Sequence, residues 1–443
     1  MLIASVLWSA MRYSQIFLIA SVAILTVIPI VGFPSKEQLH PGVVGLIILA
    51  YAALIGLLPR RRLHFTLIDV AAFVVFVGCL LSYAYGHQTK TDFDHVLFLW
   101  FCPYFAARAI TGSCGRKAVL KAFAVAGAIA IPFGIIEVAY GNLFLKIFPF
   151  GSEAEKGLGV AKERLGLTRA QGALGQPIPY AMFLAIAAVA ALVLWTTRED
   201  RRSNRWLYIA LGIVAIQAAT LARTGWLMLA IVAGIVILSR LKMIFNRSNR
   251  YLIALVLVGT AIVLAVPQTN ELLLGSSGQE SLKLEASADY RSLLIKQALE
   301  PGYIKPYGTT ESQIGPLGHK SIDDEYIHAA WTWGYLPLVG FALMFLAFTR
   351  GAWRKRRDIV ALSVYATCIA TMVALVDVAF LSQQEVLIWL LWGCASGLTV
   401  RPTASRALWR GTRRSLLATS AVAAEHGPTD TGLAWPPVTL SHS

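Results

Sequence analysis

Residues 177–195 read PIPYAMFLAIAAVAALVLW, a run without one charged side chain. A helix crossing about 30 Å of hydrocarbon at about 1.5 Å per residue needs roughly 20 mostly apolar residues, and this run has that length. Working outward, comparable stretches occur at 16–32, 43–58, 66–83, 95–110, 118–140, 206–222, 225–239, 251–266, 326–348, 359–380 and 386–400. The expectation is an all-α, polytopic transmembrane helical bundle of about 12 spans. Only the polar cluster at Arg223 divides 206–222 from 225–239, so a count of ten or eleven also fits.

Composition agrees. The chain is 57% hydrophobic and 14% charged, with mean hydropathy +0.63, outside the range of a water-soluble domain. A net charge of +15 invites a nucleic-acid reading, but the basic residues fall in alternate loops. Arg12, Arg60 to Arg62, and the runs at 108–121, 198–205, 240–250, 350–357 and 401–414 share one side if the N-terminus is cytoplasmic. That is the positive-inside pattern, which puts both termini in the cytoplasm and argues against nucleic acid as the partner. The first apolar stretch lacks a small-residue cleavage site and reads as the first span. Cys79, Cys102, Cys114, Cys368 and Cys394 show no CxxC pair or Cys/His cluster, so neither a metal nor another cofactor is expected.

The expected organisation is a transmembrane unit over 1–400 and a cytoplasmic tail over 401–443, rich in Ala, Ser, Thr and Pro and expected to be disordered. Two extracytoplasmic loops, 141–175 and 267–325, exceed the length of simple connections and point to function. In the second, Ser287 can cap a helix running to Leu299, with Tyr290, Leu293, Leu294 and Ala298 on one face. Pro301-Gly302 then stops it.

Three arginines from distant segments fall at the outer surface in this topology: Arg169 before a Gly- and Pro-rich helix entry, Arg223 between two apolar helices, and Arg291 on the loop helix. A guanidinium is permanently charged, and its planar fork of donors matches phosphate oxygens, so this set suits the diphosphate of a lipid headgroup. Snorkelling or pairing with a carboxylate is the alternative. The densest acidic cluster, Asp323-Asp324-Glu325, directly precedes the tenth span. Carboxylates there can simply favour a helix N-terminus, or, crowded beside apolar surface, one can accept a proton from a hydroxyl. Both readings stay open. His319 and His328 are nearby alternatives for proton transfer, and Glu137, Asp377 and Glu385 lie near outer helix ends, where each could line the cavity but snorkelling is the commoner role.

Taken in order, Arg169-x-x-Gly172-x-x-x-x-Pro177, Ala222-Arg223-Thr224-Gly225, Arg291, Asp323-Asp324-Glu325-Tyr326-Ile327 and Trp333-Gly334-Tyr335-Leu336 resemble the O-antigen ligase and polysaccharide polymerase superfamily of bacterial membrane glycosyltransferases. The likeness covers roughly 166–348. It implies that Arg169, Arg223 and Arg291 hold the diphosphate of an undecaprenyl-linked glycan, and that Asp323, with Asp324, orients or deprotonates a sugar or lipid-sugar acceptor, without a metal. The ligase branch carries His-Asn where this chain has Asp323-Asp324, a departure that favours a polymerase or another acceptor. Polysaccharide assembly proteins are the implied protein partners, beside membrane lipids. The alternative is a secondary transporter or flippase of an envelope precursor, which calls for charge near helix midpoints and related halves. No internal repeat is visible, and the spans are nearly free of charge.

Overall fold

An apolar segment satisfies its backbone most simply as a helix, because every internal N–H then pairs within the segment. The computed structural model describes residues 13–28, 40–57, 65–141, 163–197 except 165–166, 204–239, parts of 295–309, 324–376, 378–380 and 383–398. In chain order its helices are α1 (Ser14–Val27), α2 (Pro41–Leu57), α3 (Leu67–Ala84), α4 (Lys90–Val96), α5 (Cys102–Cys114), α6 (Ala118–Tyr140), α7 (Pro177–Thr196), α8 (Arg205–Ala219), α9 (Arg223–Ser239), α10 (Glu325–Trp333), α11 (Tyr335–Arg354), α12 (Ile359–Ala374) and α13 (Gln383–Gly397). A π-turn, Leu97–Phe101, joins α4 to α5. One short antiparallel pair, β1 (Glu163–Arg164) with β2 (Leu167–Thr168), precedes α7.

Four of these helices, α3, α6, α7 and α11, are long and apolar enough to cross a membrane, and α1, α2, α8, α9 and α12 are shorter apolar helices. Their surroundings differ. On α7 nearly every side chain from Pro177 to Leu194 is buried, and α12 and α13 are buried almost all round, so these three form the centre. Around them, α3, α6 and α11 turn large apolar groups outward: Phe73 is 63% exposed, Ile135 55% and Leu346 59%. Such a rim is costly in water and costs nothing against lipid.

Small residues set the close helix crossings, as expected where packing holds helices together. Gly393 of α13 lies against the Tyr104 backbone of α5, and Gly340 of α11 against Ala71 and Val75 of α3. At one end of the bundle Asp69 joins three helices: it accepts from Tyr104 Oη at 2.6 Å and Ser396 Oγ at 2.7 Å, and pairs with Arg108 at 2.6 Å. Its other oxygen closes a capping box with Thr66 at the start of α3.

Two boundaries differ from the sequence reading. The single span expected over 326–348 is broken at Gly334, whose φ of +88° separates α10 from α11. A Cβ there would collide with the Pro306 carbonyl, because residues 302–309 pack onto the break, with Thr309 N–H donating to Trp331 O at 2.9 Å. The span expected over 359–380 ends as a helix at Ala374. The expected span at 251–266, Arg291 with most of the 287–299 helix, Asp323, Asp377 and the tail lie outside the described residues. Residues Met1–Thr399 form one compact unit.

Candidate functional site

The residues with unusual surroundings gather at the end of the bundle opposite Asp69. One group is built around the turn between α8 and α9. Leu221, at φ +50°, is the only non-glycine residue with positive φ among the described residues, and the turn it makes sends the chain straight from Ala219 into α9. Thr220 holds the turn by donating its hydroxyl to Gln217 O at 2.7 Å and accepting from Ala222 N–H at 3.2 Å.

Arg169 docks on this turn, its Nε donating to the Thr220 carbonyl at 2.9 Å, while Ala170 N–H donates to Ala219 O at 3.1 Å. From the other side the last turn of α6 offers Glu137, fully buried, whose Oε2 accepts from Gln171 N–H at 3.0 Å and Gly172 N–H at 2.8 Å. Gly172, at φ +56°, sits so close to the Tyr180 ring that a side chain would not fit. The Arg169-Ala-Gln-Gly172 segment is thus clamped between α6, α7 and α8. Arg223 opens α9 beyond the same turn, with its Nε buried and without a hydrogen-bond partner. A guanidinium at a helix N-terminus adds to the partial positive charge there, and both favour an anion. Arg169 and Arg223, 54 positions apart in sequence, therefore address one turn.

The second group lies at the entry to α10. Asp324 is the N-cap: its Oδ1 accepts from Tyr326 N–H at 2.8 Å and Ile327 N–H at 3.1 Å, so the capping reading of the acidic cluster holds for this residue. Asp323, preceding it, lies outside the described residues. Glu325 turns inward, fully buried, its N–H bonded to Leu375 O at 3.0 Å and its Oε2 accepting from Phe380 N–H at 2.6 Å. His328 Nδ1 stands 3.7 Å from the same oxygen. Burial raises the Glu325 carboxyl above the ordinary range, against the opposing pull of His328 and the Phe380 N–H.

Glu325 and His328 line a cavity of about 280 Å³ together with His95, Trp100, Phe380 and Glu385. His95 Nε2 lies 2.8 Å from Glu385 Oε1, and Trp100 Nε1 donates to Glu385 Oε2 at 2.5 Å. Trp100 reaches this point from the π-turn, whose extra residue shifts the register of the helix that follows.

Thus the structure gathers Arg169 with Arg223, and it gathers Glu325 with His328 and Glu385, while Asp324 works as a cap. The sequence reading names Glu137 and Glu385 alike as helix-end carboxylates that could line a cavity, with snorkelling the commoner role, and does not single out His95. Glu385 is instead 2% exposed. The signal available was a carboxylate and a histidine at apolar helix ends, whose pairing only the packing reveals. Among the described residues no three His, Cys, Asp or Glu side chains gather as a metal site. In comparison with known proteins, no family model matches the chain and no curated protein is recognisably similar to it.

Proposed function

We propose that this chain is a membrane glycosyltransferase of cell-surface polysaccharide assembly. It transfers or polymerises glycan from an undecaprenyl diphosphate-linked donor at the extracytoplasmic face of a bacterial inner membrane. Its bundle has about 12 spans, both termini are cytoplasmic, and the end carrying Arg169 and Glu325 faces outward. The observation that carries this reading is the Arg169 bond to the Thr220 carbonyl, which docks one guanidinium on the turn that leads into Arg223, the first residue of α9.

In this reading Arg169 and Arg223, with Arg291 from the long outer loop, bind the donor diphosphate. The acceptor hydroxyl oxygen attacks the anomeric carbon as the bond from that carbon to the diphosphate oxygen breaks. Polyprenyl diphosphate departs with its charge matched by the guanidinium groups, which need no rearrangement to receive it. The hydroxyl proton passes to Asp323, which precedes the α10 cap Asp324 in sequence. The acceptor is a sugar or a lipid-sugar, and polysaccharide assembly proteins fit as partners.

Placement of the buried carboxylates favours surface chemistry over the transporter alternative. Among the described residues Asp69, Glu137, Glu325 and Glu385 are buried, and each lies within a turn of a helix end. A translocation path calls for charge near helix midpoints. The test is polymer assembly in cells expressing Arg223→Ala or Asp323→Ala, with membrane abundance measured. Loss of polymer at normal abundance supports the reading, and normal polymer from both variants overturns it.

A further inference from the structure

We infer that the cavity between α4, the π-turn, α10 and α13 is a seat for one pyranose ring. The inference rests on the glycosyltransferase reading and extends it to a binding site separate from the arginines. The cavity's volume of about 280 Å³ equals that of about nine liquid waters at about 30 Å³ each. That is room for a single sugar ring with its hydroxyls.

Its walls match the two chemistries of a pyranose. Trp100 and Phe380 meet edge to face, with ring centroids 5.4 Å apart at 63°, and make an aromatic corner for the C–H face of a sugar. The same lining carries hydrogen-bonding groups for hydroxyls. Glu325 is fully buried with Oε2 engaged by Phe380 N–H, while Oε1 has no hydrogen-bond partner. A buried carboxylate oxygen left unbonded costs about 1–3 kcal/mol or more, and a ligand hydroxyl donating to it recovers that cost. Glu385, whose two oxygens are taken by His95 and Trp100, fixes the aromatic corner instead of serving as an open acceptor. Thr91, exposed on α4, stands at the mouth.

The experiment is saturation-transfer NMR on the full chain in detergent, with methyl glycosides of glucose, galactose, mannose, rhamnose and N-acetylglucosamine as probes and sorbitol as the open-chain control. At least one pyranoside is expected to receive saturation, strongest on the protons of one ring face, with sorbitol silent. Glu325→Gln, which keeps shape, and Thr91→Phe, which blocks the mouth from an exposed position, should each weaken binding about tenfold at unchanged gel-filtration elution. No pyranoside exceeding sorbitol, or binding unchanged in both variants, overturns the proposal. Arg223→Ala is expected to bind the glycoside normally. Glycoside binding without arginine-dependent transfer would leave the seat standing and remove the glycosyltransferase reading, whereas arginine-dependent transfer without glycoside binding would do the reverse. A ring from the acceptor makes the glycoside competitive with acceptor in a transfer assay, and a ring from the donor makes it competitive with the lipid-linked donor.

Discussion

Trp100 and Glu385 are locked together by an indole N–H donating to a carboxylate at 2.5 Å, with both side chains nearly fully buried. The bond ties the π-turn after α4 to the first turn of α13, and His95 completes it from the solvent side. Glu385→Ala removes the acceptor and leaves the Trp100 N–H buried and unbonded. The expected loss is about 1–3 kcal/mol of stability, seen as a lower melting temperature of the purified protein in detergent. Glu385→Gln, which can still accept, is expected to lose less.

The opposite end of the bundle should behave as scaffold. Asp69→Ala strands Arg108, whose side chain is 11% exposed, and removes acceptors from Tyr104 and Ser396. Breaking a buried pair from one side costs about 3–5 kcal/mol, so the melting temperature should fall further than for any single change at the cavity. The folded fraction should retain polymer assembly per molecule.

Two glycine substitutions are expected to act with opposite signs. Gly334→Ala forces a side chain onto a φ of +88° and against the Pro306 carbonyl, at a cost above about 1–2 kcal/mol. Gly112→Ala, in α5 with nothing near the added carbon, should stabilise by about 0.4–1 kcal/mol. Melting temperatures of the two variants against the parent check both signs.

Glu325 carries a pH signature. Because burial raises its folded carboxyl value, the folded chain keeps this proton to higher pH than the unfolded chain does. Its contribution to stability is therefore complete below the unfolded value of about 4.3 and declines as pH rises through the folded value. Glu325→Gln removes that decline. The melting difference between parent and variant should widen in the variant's favour as pH increases across this window, whereas parallel curves would rule the effect out.

The helices were legible in sequence because an apolar run of spanning length has few alternatives to a helix, and 177–195 became α7 nearly to the residue. The break at Gly334 was not legible, since it depends on residues 302–309 packing onto it, a contact made across more than 20 positions. The same holds for Glu137, which reads as an interfacial carboxylate until the backbone N–H groups of Gln171 and Gly172 are seen upon it. Asp324 is readable either as cap or as chemistry, and its two backbone bonds show the capping role. The π-turn left no mark in residue type at all.

The most direct measurement of the central claim is chain extension by the purified protein in proteoliposomes supplied with a lipid-linked oligosaccharide and no metal. The account predicts a longer lipid-linked glycan, with a rate that falls about 10- to 100-fold in Arg169→Ala and in Arg223→Ala, the range expected when a charge-assisted bond to the leaving diphosphate is lost. Glycan that merely crosses the bilayer unextended, or extension indifferent to both arginines, would contradict it.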